Sequence, residues 1–150
     1  MKRFISAILV IVLVVSCCGM AVSAEQVEAE PKTTVEYYED RSYSVTVLEE
    51  TNSLARATKG GKKTKTYYTA SDEPVFAVTL TGTFSYTYGE SAKATGASTT
   101  VSIYMDGAEY VTKTATYRNA KAYGSGTVSY LGITRVTSTN ITCDIYGNLS

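Results

Sequence analysis

The chain has no His and no Trp, only 2 Pro and 3 Phe, and its 14 Lys and Arg are balanced by 14 Asp and Glu. Each shortage closes a route. Without imidazole, neither a Ser/His/Asp nor a Cys/His catalytic arrangement can be assembled, and zinc sites that need His are excluded. A formal net charge of zero speaks against a general nucleic-acid binder or membrane-surface binder. No phosphate loop is present, because Gly60-Gly61 followed by Lys62-Lys63 lacks a strand-to-helix context. Asp106-Gly107 alone is a turn and not a calcium loop. No cofactor is therefore expected. An apolar stripe of helical period is also missing from the body of the chain, whereas Tyr is abundant, with 13 residues.

The start of the chain reads as an export signal. Lys2 and Arg3 precede an apolar run from Phe4 to Val15, too short to cross a bilayer comfortably. Val22-Ser23-Ala24 places small residues where a signal peptidase reads, so a signal helix over 1–24 with cleavage after Ala24 is expected. A competing site is Val14-Val15-Ser16-Cys17, in which Cys17 would become a lipidated first residue and anchor the protein to the outer face of the membrane. Cleavage after Ala24 also removes Cys17 and Cys18, leaving Cys143 alone in an oxidising compartment. Its parity with Ile141 and Ile145 predicts a buried, inert thiol.

Charge is unevenly spread. Removing Lys2 and Arg3 leaves 12 basic against 14 acidic residues, net −2. Residues 25–50 hold eight acids (Glu25, Glu28, Glu30, Glu36, Glu39, Asp40, Glu49 and Glu50) against Lys32 and Arg41. Five bases then fall between Arg56 and Lys65. Such an acidic leader either lies against a basic face or stays solvated.

From residue 25 onward the pattern is that of strands. Residues 25–33 lack periodicity. Val35 to Glu50 reads as a hairpin turning at Glu39-Asp40-Arg41-Ser42. Gly60-Gly61 between lysines predicts an exposed linker over 51–63, with a processing site near Lys62-Lys63 as one use of it. The body, 64–150, is rich in Thr and Tyr, which suit a pleated surface. Its clearest strand is Val75 to Tyr88, where Phe76, Val78, Leu80, Phe84, Tyr86 and Tyr88 share one face and Gly82 invites a bend that would let the strand serve two sheets. A polar loop over Gly89–Ser98, a strand with Val101, Ile103 and Met105 inward, and a turn at Asp106-Gly107 follow. A strand over Ala108–Tyr117, another over Ala120–Leu131 with a bulge at Gly124 and Gly126, and a last one over Thr134–Tyr146 complete the chain. The fold class expected is all-β: an antiparallel β-sandwich, immunoglobulin-like or similar, its core filled largely by Tyr. The domain plan is a signal over 1–24, an acidic leader with hairpin and linker over 25–63, and the sandwich over 64–150.

Several segments carry a likeness: Glu36-Tyr37-Tyr38-Glu39-Asp40, the run Val78-Thr79-Leu80-Thr81-Gly82-Thr83-Phe84-Ser85-Tyr86, Leu131-Gly132-Ile133, and the closing run Ile141 to Ser150. Through these the chain resembles a group of small secreted proteins of Gram-positive bacteria that have a Gly-Thr-Phe-x-Tyr strand and a C-terminal Cys-containing strand. The resemblance implies no activity and no site residues. It implies a disulfide between the final strand and the loop after the Gly-Thr-Phe strand, and here Ala94 stands near the second position, so that bridge is absent.

Carboxylates are the one acid/base route left. Asp72-Glu73 and Asp106 with Glu109 are the candidates, all in turn segments where acids also serve local hydrogen bonding. Asn140 and Asn148 open chance matches to a glycosylation acceptor. Tyr104 and Tyr123 have outward parity and could contact a sugar or a protein. The expected function is a secreted, non-enzymatic β-sandwich module binding a protein or cell-envelope partner. The alternatives are a small hydrolase using Asp/Glu and a toxin or antimicrobial released by proteolysis. Nucleic acid is not an expected partner, a membrane is one only through Cys17, and the oligomeric state stays open.

Overall fold

The computed structural model describes residues 30–52 and 57–150. The signal segment, Cys17 and Ala24 lie outside the described residues. Those described form strands and turns with no helix. The strands are β1 (Lys32–Tyr37), β2 (Tyr43–Asn52), β3 (Thr58–Tyr68), β4 (Pro74–Thr87), β5 (Ser91–Ile103), β6 (Ala108–Arg118), β7 (Lys121–Tyr130) and β8 (Ile133–Thr142). They build two antiparallel sheets, β1-β2-β3-β4-β5 and β6-β7-β8, stacked as a sandwich. Every strand pairs with its neighbour in sequence, so the topology is a double meander without the Greek-key return of the immunoglobulin fold.

The turns follow their local chemistry. Arg41, Asp72, Asn119 and Gly107 take positive φ at the tips joining β1–β2, β3–β4, β6–β7 and β5–β6. Arg41, Asp72 and Gly107 coincide with expected turns, and Asn and Gly are the residues that tolerate this backbone best. The acidic hairpin does not stand apart from the body. Val47 pairs with Thr64 and Glu50 with Gly61, so a boundary at 63/64 would cut through β3. The charge asymmetry becomes cross-sheet pairing: Lys65–Glu36 at 2.7 Å, Lys59–Glu50 at 2.9 Å and Lys62–Glu49 at 3.5 Å.

Gly60 and Gly61 are therefore strand residues, and the expected linker over 51–63 is corrected for the part described. The physical reason is packing. A Cβ on Gly61 would lie 2.5 Å from Leu149 Cδ1, so only glycine lets the C-terminal segment press onto β3. That segment turns at Asp144–Asn148 and pairs back on β8, Thr142 and Ser150 exchanging two backbone hydrogen bonds of 2.8 and 3.0 Å.

The expected polar loop over Gly89–Ser98 is also corrected, since β5 begins at Ser91. Its inward positions are small. Ala92 and Ala94 face inward at one parity, then a bulge near Thr95 shifts the register, and Ala97, Thr99 and Val101 face inward at the other. The bulge hides the period of two from a reading of the sequence. β4 pairs along its length within one sheet and does not serve two.

The core departs from expectation most. Tyr67 is its one buried tyrosine among the described residues. The interior is Val75, Phe76, Val78, Leu80, Phe84, Ala94, Ala122, Val128, Ile141, Cys143 and Leu149. Opposite the β7 glycines the layers come too close for a ring. A Cβ on Gly126 would stand 2.7 Å from Val78 and 2.8 Å from Val101, and one on Gly124 would stand 2.5 Å from the Thr99 hydroxyl. These glycines allow close sheet approach and do not mark a bulge. The register shift between β6 and β7 lies instead at Tyr110–Thr112 on β6, opposite Val128 and Thr127. Gly126→Ala is expected to lower unfolding stability by roughly 1–3 kcal/mol through overpacking, read from urea midpoints. The buried Thr99 Oγ1 has no hydrogen-bond partner. Thr99→Val therefore removes an unpaired buried hydroxyl and is expected to raise stability by about 1 kcal/mol in the same assay.

Candidate functional site

The connections β1–β2, β3–β4, β5–β6 and β7–β8 gather at one end of the sandwich, as alternate turns of a double meander must. Two tyrosine ladders run across the five-stranded sheet there. On the inner face, Tyr38, Tyr67 and Phe76 follow one another with centroids 6.0 and 5.5 Å apart. On the outer face, Tyr37, Tyr43 and Tyr68 do so at 5.7 and 5.0 Å, the last pair nearly parallel. Cross-strand register makes these ladders, because Tyr43 pairs with Tyr37 on one side and Tyr68 on the other.

Tyr67 of the inner ladder lines a cleft of about 210 Å³ at the mouth between the sheets, together with Asp40, Ser42, Leu131, Ile133 and Arg135 among others. Arg135 reaches from β8 with its guanidinium 4.4 Å above the Tyr67 ring centroid and 2.9 Å from Asp40 Oδ2. A cation stacked on an aromatic face and bound to a carboxylate is held in one orientation. Asp40 in turn accepts hydrogen bonds from the Ser42 hydroxyl and from the Ser42 amide at 3.1 Å. Those bonds come first, and Arg135 second, in holding its carboxyl below the usual range.

The lip of the cleft is apolar. Tyr130 pairs with Ile133, leaving Leu131-Gly132 as a two-residue loop with both φ values positive, at 51° and 74°. That geometry favours Asn or Asp before the Gly, and a leucine there costs about 1 kcal/mol. Its side chain is 78% exposed, and Ile133 beside it is 56% exposed. Leu131 is thus unfavourable both for the backbone and for the solvent it meets.

The residues singled out from sequence are scattered by comparison. Asp72, Glu73, Asp106 and Glu109 are all exposed, and none lines a described cleft. Asp72 accepts a hydrogen bond from the Tyr43 hydroxyl at 3.0 Å. Among the described residues, no three His, Cys, Asp or Glu side chains come together as a metal site would need. Cys143 is buried, as its parity predicts, and burial pushes its thiol upward in pKa. Ala94 lies in the same core cluster as Cys143. Tyr104 is exposed, and Tyr123 lines a second, shallow groove of about 300 Å³ with Thr114, Ser125, Ser138 and Asn140. The mouth residues Asp40, Arg135 and Leu131 are not among the candidate site residues that the sequence suggests. A leucine preceding glycine between two strand patterns was the available signal.

A fixed guanidinium beside apolar side chains presents a charged donor and a greasy lip to an extended chain or a polar headgroup. Comparison with family models, curated proteins and solved structures gives no match.

Asp40 supplies a pH dependence with a definite sign. Its folded-state pKa lies below the unfolded value of roughly 3.9, so its contribution is complete above that value and disappears as pH falls through the folded one. Wild type is expected to exceed Asp40→Asn in stability at neutral pH, with the two converging in strong acid, as urea titrations at stepped pH would record.

Proposed function

We propose that this chain is an exported, non-enzymatic β-sandwich module that binds a protein or cell-envelope partner through the mouth lined by Arg135, Asp40 and the Leu131 tip. The observation that carries this reading is Leu131, a large apolar side chain 78% exposed on a left-handed backbone position beside an oriented arginine. Nothing in folding favours leucine there, so its benefit lies in what it touches outside the chain. Removal of the basic and apolar segment before residue 25 would deliver such a module to the cell exterior, where an envelope component or another exported protein is the available partner.

Leu131→Asn separates contact from folding, because Asn tolerates the backbone better than Leu. Its midpoint of unfolding is expected to match or exceed wild type. Its capture of partner from a detergent-treated envelope fraction is expected to fall tenfold or more. Equal capture by wild type and Leu131→Asn, or no capture by either, would remove the proposal.

A further inference from the structure

A β-sheet edge exposes backbone donors and acceptors that another strand can take up. Among the described strands, β1 and β5 bound the larger sheet and β6 and β8 the smaller. β5 and β6 meet at the corner of the sandwich, where the Ala94 amide bonds the Asn119 carbonyl at 2.7 Å. The end of β8 is paired by Leu149 and Ser150. β1 is an outer strand of the larger sheet, pairs among the described residues only with β2, and has each of its residues exposed.

The sequence of β1 is self-complementary. If two copies pair antiparallel about Thr34, Lys32 of each faces Glu36 of the other, Thr33 faces Val35, and Thr34 faces itself. Lys32, Thr34 and Glu36 share the inner face, so both ion pairs form on one side of the joint, with the Thr33–Val35 contacts on the other. Pro31 has no amide hydrogen and would end the ladder just beyond. Both charged groups have capacity left. The Glu36 side chain is 60% exposed while it bonds Lys65, and Lys32 donates to the Leu149 carbonyl at 3.1 Å with further ammonium hydrogens free to donate elsewhere.

We infer that β1 is a two-fold interface at which a second copy of this chain adds its own β1, joining two five-stranded sheets into one of ten through reciprocal Lys32–Glu36 pairs. An isologous joint of this kind closes on itself and leaves the Leu131 mouth of each copy open.

Sedimentation velocity over a concentration series tests it with the chain in the form the cell accumulates. Wild type is expected to show a concentration-dependent dimer. Lys32→Glu sets Glu opposite Glu and Glu36→Lys sets Lys opposite Lys, so each alone is expected to dimerise at least tenfold more weakly. An equimolar mixture of the two restores both ion pairs and is expected to recover the dimer, which also shows that both variants fold. Thr34→Glu, which changes an exposed residue and places like charges on the two-fold axis, is expected to weaken it as well. A wild type that stays monomeric throughout overturns the inference. So do single variants that dimerise like wild type, or a mixture of folded variants that stays monomeric.

Discussion

The fold depends on how closely two sheets can approach. β7 presents Ala122, Gly124 and Gly126 to β4 and β5, and the space that side chains would need is already filled by Val78, Leu80, Thr99 and Val101. Gly61 plays the same part on β3 toward Leu149 and Ile141. Dense interiors tolerate little added volume, so these glycines fix the spacing between layers. With that spacing set, the side chains opposite Gly124 and Gly126 are aliphatic or Thr, and the buried rings of Phe76 and Phe84 sit to either side of them along β4.

That one constraint explains which parts of the molecule were legible in its sequence. Composition and alternation revealed the all-β class, the β1–β2 hairpin, β4 and most of the turns, because Tyr43, Val45 and Val47 or Phe76, Val78 and Leu80 repeat with a strand's period. Two strands were legible only in their later parts, β3 from Lys65 and β5 from Thr100. β3 begins in Lys and Gly, residues that read as a linker until a distant Leu149 supplies the reason for them. β5 carries its inner face on Ala92, Ala94, Ala97 and Thr99, with a bulge in the middle that breaks the alternation. Local pattern cannot show either cause, since both lie across the fold.

The same holds at the mouth. Asp40, Tyr67 and Arg135 come from three strands or turns separated by up to 95 residues, and only the meander's alternate turns bring them together. Of the acids that sequence favoured, Asp72, Glu73 and Asp106 sit on exposed turns, where short polar side chains stabilise the backbone locally, whereas Glu109, expected in a turn, is an exposed residue of β6 paired with Ser129. Leu131 is informative for the opposite reason. It contradicts the preference of its own backbone, and such contradictions arise where a residue answers to something other than folding.

The sequential strand order has a consequence for how the molecule assembles. Each ladder joins segments adjacent along the polypeptide, so hairpins can zip from their turns without waiting for remote partners, and little loop entropy is lost at each step. Only the docking of the two meanders, through the β7 glycines and the Leu149 segment, requires distant parts of the chain to meet. Sandwiches built on long crossovers gather distant strands before any sheet exists and fold slowly for that reason. Here secondary pairing can run ahead, and the slow event is the closing of one finished layer onto the other.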